Sequence, residues 1–106
     1  MNFLGVEPLT NPQKRALKAI AQRLDATVKV GKAGLTDAFL AGLTTELDRL
    51  ELVKVKFAEH QDERHELAPQ LAAKTASQLV WVIGHVALLY RPQADPAKRK
   101  IVLAGR

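Results

Sequence analysis

Gly31-Lys32-Ala33-Gly34 sits between an alternating polar–apolar run and a helix-opening Thr36-Asp37 pair. Glycines at this spacing let the main chain approach a ligand closely and take conformations a side chain forbids. A helix N-terminus behind them presents unpaired N–H groups and the positive end of its dipole. Lys32 adds a full charge at the tip, and the set suits a phosphate. A bare Gly-x-x-Gly also serves as a plain strand-to-helix turn, so its surroundings matter. Lys29 lies on the polar side of the strand feeding the loop. Lys54 and Lys56 lie on the polar side of a second alternating run, and Lys14, Arg15 and Lys18 on the polar face of a preceding helix. Together they predict one basic track that holds phosphates without reading sequence. Trp81 is the single tryptophan. Alternation sends Val80 and Val82 to the opposite face, so Trp81 either shares the wet face and stacks a base or packs over the sheet edge under the tail.

No catalytic residue is expected. Ser77 is the only serine and no Gly-x-Ser-x-Gly elbow surrounds it. Of His60, His65 and His85, only His65-Glu66 begins a zinc-helix pattern, and the second histidine is missing. The acidic residues fall in runs that read as solvated. With no Walker A loop and no dinucleotide fingerprint, neither metal nor cofactor is expected. The absence of cysteine removes thiol catalysis and disulfides and suits a reducing cytosol.

The elements that must position these residues are legible in outline. Thr10 or Asn11 can cap a helix over about 11–24, with Gln13 closing a capping box or Pro12 in the first turn. Leu17, Ile20, Ala21 and Leu24 share its apolar stripe. Thr27–Val30 alternates as a short strand. Thr36 caps a second helix whose inner face is Phe39, Leu40, Leu43, Leu47 and Leu50. Leu52–Phe57 alternates again, with Val53, Val55 and Phe57 inward. A third helix covers about 62–75; Pro69 inside it predicts a kink or a late start, and no glycine ends it. Leu79–Ile83 and Val86–Tyr90 flank Gly84-His85, a hairpin signal of the mirror-turn type. Ile101–Leu103 adds an edge strand or packs as a tail.

The order α-β-α-β-α-β-β predicts an α/β fold: one two-layer domain with a mixed four-stranded sheet. Strands 1 to 3 run parallel and the hairpin makes strand 4 antiparallel. The 106 residues allow a single domain, with a core over about 9–92 and a tail over 93–106. Hydrophobic residues make up 47% and charged residues 25%, which excludes a disordered chain. No apolar run spans a bilayer, and the first seven residues do not read as a signal peptide.

Charge is segregated. Residues 10–34 carry six cations and one anion (+5), and 91–106 five and one (+4); 35–51 and 59–66 each carry one cation and four anions (−3). With a net charge of +5, a one-sided basic surface facing a polyanion is expected.

Three motifs in order resemble the CRM domain, the RNA-binding module of chloroplast splicing factors and of the bacterial YhbY proteins. They are Val30-Gly31-Lys32-Ala33-Gly34-Leu35-Thr36, Glu51-Leu52-Val53-Lys54-Val55-Lys56, and Val82-Ile83-Gly84 with Leu88-Leu89-Tyr90-Arg91-Pro92. The resemblance covers about 9–103. It implies a fold similar to the C-terminal domain of translation initiation factor 3. It also implies RNA binding through Gly31, Lys32, Ala33 and Gly34 and the adjoining basic surface, with Lys54 and Lys56 on the strand and Arg91 closing the last strand. Stand-alone bacterial members are associated with precursors of the large ribosomal subunit, so the expected partner is ribosomal RNA or a pre-50S particle. A cytoplasmic, non-enzymatic monomer with no membrane contact is expected. An adapter between proteins on ribosomal particles and a general RNA chaperone are the alternatives. The chain departs from the family pattern at Leu50, Trp81, His85 and Val86, at Pro69, and at Ala76, where glycine is usual.

Overall fold

The helix signal at residues 10–13 resolves in favour of Thr10. In the computed structural model, which describes residues 8–103, α1 spans Asn11–Ala21. The Gln13 N–H donates to Thr10 Oγ1 at 3.2 Å and the Thr10 N–H to Gln13 Oε1 at 2.9 Å, a reciprocal capping box. The helix stops three residues before the expected Leu24. Its last turn tightens through Arg23 N–H to Ile20 O and Leu24 N–H to Ala21 O, and the Lys54 ammonium takes the carbonyls of Ala21 and Leu24. Ile20 and Leu24 are left exposed rather than joining the stripe, and the inward face is Gln13, Leu17 and Ala21.

The remaining elements are β1 (Val28–Val30), α2 (Asp37–Leu50), β2 (Leu52–Phe57), a 3₁₀ turn at Gln61–Glu63, α3 (Arg64–Lys74), β3 (Gln78–Ile83), β4 (Val86–Tyr90) and a 3₁₀ turn at Pro96–Lys98. The sheet order is β1-β2-β4-β3. β1 pairs parallel with β2, and β4 antiparallel with both β2 and β3. The first three strands therefore point the same way, as expected, with β4 inserted between β2 and β3. Gly84, at φ +55, opens a two-residue hairpin loop in which His85 keeps a negative φ, as a type II′ turn requires.

Alternation in β2 divides two cores. Val53, Val55 and Phe57 pack with Val30, Ala87 and Leu89 under Leu43 and Leu47 of α2 and Ala68, Leu71 and Ala72 of α3. Leu17 and Ala21 of α1 pack with Leu52, Val80, Leu88, Tyr90 and Leu103 on the other face. The sheet and α2/α3 are the expected two layers; α1 and the tail add partial cover on the second face. The tail forms no strand: Leu103 is buried and Val102 is exposed. It is pinned by Glu51, whose fully buried carboxylate accepts from the N–H groups of Gln93 (2.7 Å), Lys100 (2.7 Å) and Ile101 (2.9 Å). The signal-peptide reading of residues 1–7 and the charge of Arg106 lie outside the described residues.

α3 starts two residues after the expected Asp62 but keeps Pro69 in its interior. The expected first turn is a 3₁₀ turn, and the α-helix begins only at Arg64 with Pro69 inside it. At its other end the Ser77 N–H donates to Ala72 O at 2.9 Å and the Ala76 N–H to Ala73 O at 3.4 Å. This is a Schellman cap with an alanine at φ +53, where L-residues are strained and glycine is free. Ala76→Gly should therefore raise the unfolding free energy by about 1 kcal/mol. The melting temperature should rise by roughly 4–8 °C; an unchanged midpoint would show that the cap is not strained.

Candidate nucleic-acid interface

The Gly31–Gly34 segment is a β-turn closed by the Gly34 N–H donating to Gly31 O at 3.0 Å. Lys32 and Ala33 occupy its centre with negative φ, and only Gly34, at φ +73, needs glycine. A Cβ on Gly31 would meet nothing within 4 Å. Gly31, Lys32 and Ala33 are exposed, and Lys32 makes no ion pair within 4 Å among the described residues.

His60 braces the turn. It sits in a left-handed conformation at φ +57, and its Nε2 donates to the Lys32 carbonyl at 2.8 Å. A carbonyl only accepts, so Nε2 carries the proton. The sequence assigns His60 no role. The contact was not legible because it joins residues 28 apart across the β1–β2 edge, where Glu59 N–H also donates to Val30 O at 3.0 Å.

The helix behind the turn contributes less than its dipole suggests. Thr36 Oγ1 accepts from the Phe39 N–H at 3.1 Å, and Asp37 places a carboxylate in the first turn. A hollow of about 460 Å³ on the other flank of Lys32 is lined by Glu59, His60, Asp62 and Glu63. The turn thus stands at a border, with carboxylates on one side.

On the other side lies the sheet face that α1 leaves open. Lys29 and Lys56 are register partners on β1 and β2, both exposed, at the sheet end where the turn begins. Lys54 shares their face two residues along β2, but its ammonium is held by Ala21 O at 3.1 Å and Leu24 O at 2.9 Å. It caps α1 and is half-buried. Lys18 does not point away from the core. Its Nζ lies 3.7 Å from the centroid of the Trp81 ring. Lys14 precedes it by one helical turn on the same row, and Arg15 is exposed further round.

Trp81 is on this face for a reason that alternation alone misses. A bulge between Leu79 and Trp81 shifts the β3–β4 register, so Trp81 pairs with Leu88. Val80 packs in the α1-side core and Val82 in the other. The expectation that Val80 and Val82 share a face opposite Trp81 is thus corrected: the extra residue puts Val80 and Trp81 on the same side.

Arg91 is not brought to this surface. Its guanidinium donates to Thr75 O at 2.8 Å and Thr44 O at 3.3 Å and pairs with Asp48. It ties α2 to the end of α3 at the opposite end of the sheet, where the Arg91 N–H meets Glu51 O. The structure thus gathers Gly31–Gly34, Lys29, Lys56 and Lys18 along one open half-face, assigns Lys54 to helix capping, and separates Arg91.

A mixed four-stranded sheet whose parallel strands end at an exposed Gly-x-x-Gly turn beside a lysine-lined half-face defines a small basic α/β binding module. Residues 9–91 match the CRS1/YhbY (CRM) domain, and the chain belongs to that family. It is 41% identical over 91 residues to a probable RNA-binding protein of Pseudomonas aeruginosa, covering 85% of this chain and 88% of that one. It is 36% identical over 88 residues to an RNA-binding protein of Haemophilus influenzae, covering 82% and 89%. The solution structure of a Staphylococcus aureus protein superposes with a TM-score of 0.75 at 33% identity, over 91% of this chain and 99% of that one. Among the described residues no helix is long and apolar enough to cross a membrane.

The two β2 lysines separate by experiment. Lys54→Met should lower the unfolding free energy in urea by about 1 kcal/mol, because two carbonyls at the end of α1 lose a cationic donor. Lys56→Met should change it by less than about 0.5 kcal/mol. Equal effects would contradict the division of roles.

Proposed function

We propose that this chain binds RNA non-enzymatically through the Gly31–Gly34 turn and the adjoining basic half-face. The observation that carries the reading is the pairing of Lys29 with Lys56 beside an open turn whose Lys32 makes no ion pair among the described residues. The amides of Lys32 and Ala33, in a turn fixed by the Gly34 closure and by His60, supply N–H donors for a phosphate; these three lysines and Lys18 supply charge. Relatives of similar length bear the name RNA-binding protein, which supports the same partner.

The resemblance to bacterial members directs the reading to ribosomal RNA of the large subunit, bound during 50S assembly by a cytoplasmic monomer. Affinity is mainly electrostatic. It therefore depends on counterion release and carries little base information unless a further contact reads a base.

Binding to a large-subunit ribosomal RNA transcript tests the loop. Gly31→Asp has room and needs no unusual φ, so it should fold normally and lose about tenfold or more in affinity, because it sets a carboxylate against the phosphate. Wild-type affinity in that folded variant would falsify the loop assignment.

Salt gives an independent check. Four cationic contacts (Lys18, Lys29, Lys32, Lys56) predict a slope of log K against log salt near −3 for single-stranded RNA, and Lys32→Ala should make it shallower by about 0.7. A flat response would remove the basic half-face from the interface. Crosslinking in cells should return ribosomal RNA; scattered messages would favour a general chaperone, and no RNA a protein adapter.

A further inference from the structure

The open half-face is chemically divided along the strand direction. Register places Lys29, Lys56, Val86 and Ile83 side by side across β1, β2, β4 and β3, and Lys54, Leu88 and Trp81 on the next step toward α1. The β1 and β2 half of this face is cationic, and the β4 and β3 half is apolar. Trp81 is 41% exposed and Ile83 54%, an apolar patch on the sheet beside α1. Between them and the end of α1 lies a hollow of about 200 Å³, floored by Trp81, Ile83, Val86 and Leu88 and rimmed by Lys18, Gln22 and Lys54. Among the described residues no carboxylate lines it.

We propose that this hollow takes an unpaired nucleobase, stacked along Trp81, while the flanking phosphates of the same strand rest on Lys56 and Lys29. The inference rests on the RNA reading above and extends it from phosphate holding to base binding. Neighbouring strands are about 4.8 Å apart, so the Lys56 stem on β2 and the Ile83 stem on β3 are separated by roughly two strand spacings. One nucleotide spans that gap with its base on the apolar half and its phosphate on the cationic half. An apolar peptide would fill the floor but leave the lysines unmatched, whereas a nucleotide satisfies both halves. Lys18 lies over the indole, a cation–π contact. Its flexible stem lets the ammonium pass to a phosphate as the base arrives. The Gln22 amide at the rim offers a donor and an acceptor to the base edge.

Trp81 is the only tryptophan, so its emission reports this site alone. The full chain is titrated with octauridylate and with an abasic octamer of equal phosphate count. The expected result is quenching by octauridylate and about tenfold tighter binding than to the abasic strand, the scale of one stacked base. Trp81→Leu and, independently, Ile83→Ser should reduce that preference below about threefold while leaving affinity for the abasic octamer within about twofold. Equal binding of the two octamers by the wild-type chain overturns the base site but leaves the RNA reading standing, as does a Trp81→Leu variant that keeps the full preference. Binding of neither octamer nor the ribosomal transcript overturns both. Quenching by a protein partner with no response to RNA assigns the hollow to protein docking and overturns the base site.

Discussion

The period-two alternation of β2 is the constraint from which the working surface follows. β2 is an interior strand, with β1 on one side and β4 on the other. Val53, Val55 and Phe57 are committed to the core under α2 and α3. The two residues between them must emerge on the opposite face, and both are lysines. A shift of one residue would bury both ammonium groups and expose three core side chains. Where α1 ends then decides what each lysine does. Lys54 lies beneath the helix terminus and donates to the carbonyls of Ala21 and Leu24 there. Lys56, one step further along, has no helix above it and stands exposed beside Lys29. Two identical side chains separated by one residue thus serve stability and surface charge respectively.

The two ends of the sheet are built differently. At the end where α2 enters β2, Glu51 is buried with three backbone N–H donors on its carboxylate. Arg91 joins both helices there through two carbonyls and Asp48. Removing a partner from a buried charge costs much more than the pair contributes, so this end is fixed. The other end holds the carboxyl termini of β1, β2 and β3, the Gly31–Gly34 turn and the β3–β4 hairpin. Ligands of open α/β sheets bind outside the carboxyl ends of strands, where loops are held by a rigid frame without being part of it. Here the frame reaches the turn through two contacts, His60 to the Lys32 carbonyl and Glu59 to Val30.

Much of this was legible from sequence because it depends on local pattern. The capping box at Thr10, the Thr36 cap and the Gly84 hairpin involve residues within a few positions of one another, and the strand alternation repeats every second residue. What escaped the sequence depends on pairs distant in the chain. The partners of Lys54 are 33 and 30 residues away, and the Arg91 contacts reach back 16 to 47; a basic residue at a strand or strand end looks the same whether it meets a carbonyl or solvent. The face of Val80 escapes alternation because a bulge between Leu79 and Trp81 adds one residue to β3 and alternation counts only regular pairs. The end of α1 was placed late because Ile20 and Leu24 continue the apolar spacing, while the terminating cation arrives from β2.

The acidic residues give the basic face its direction. α2, the 3₁₀ turn and α3 carry the two negative blocks and pack on the sheet face opposite Lys29 and Lys56. The turn lies where the two signs meet, with Asp37 in the first turn of α2 and Glu59, Asp62 and Glu63 around the adjoining hollow. A phosphate backbone approaching from that side meets like charge; one approaching over β1 and β2 meets Lys56, Lys29 and then Lys32 in sequence. Repulsion of this kind adds little affinity, but it removes competing orientations and steers encounter. In the proposed binding mode the acidic helices thus act from outside the contact surface. In that mode the part of the RNA strand that precedes Lys56 lies over β4 and β3, where Val86, Ile83 and Trp81 provide the apolar ground.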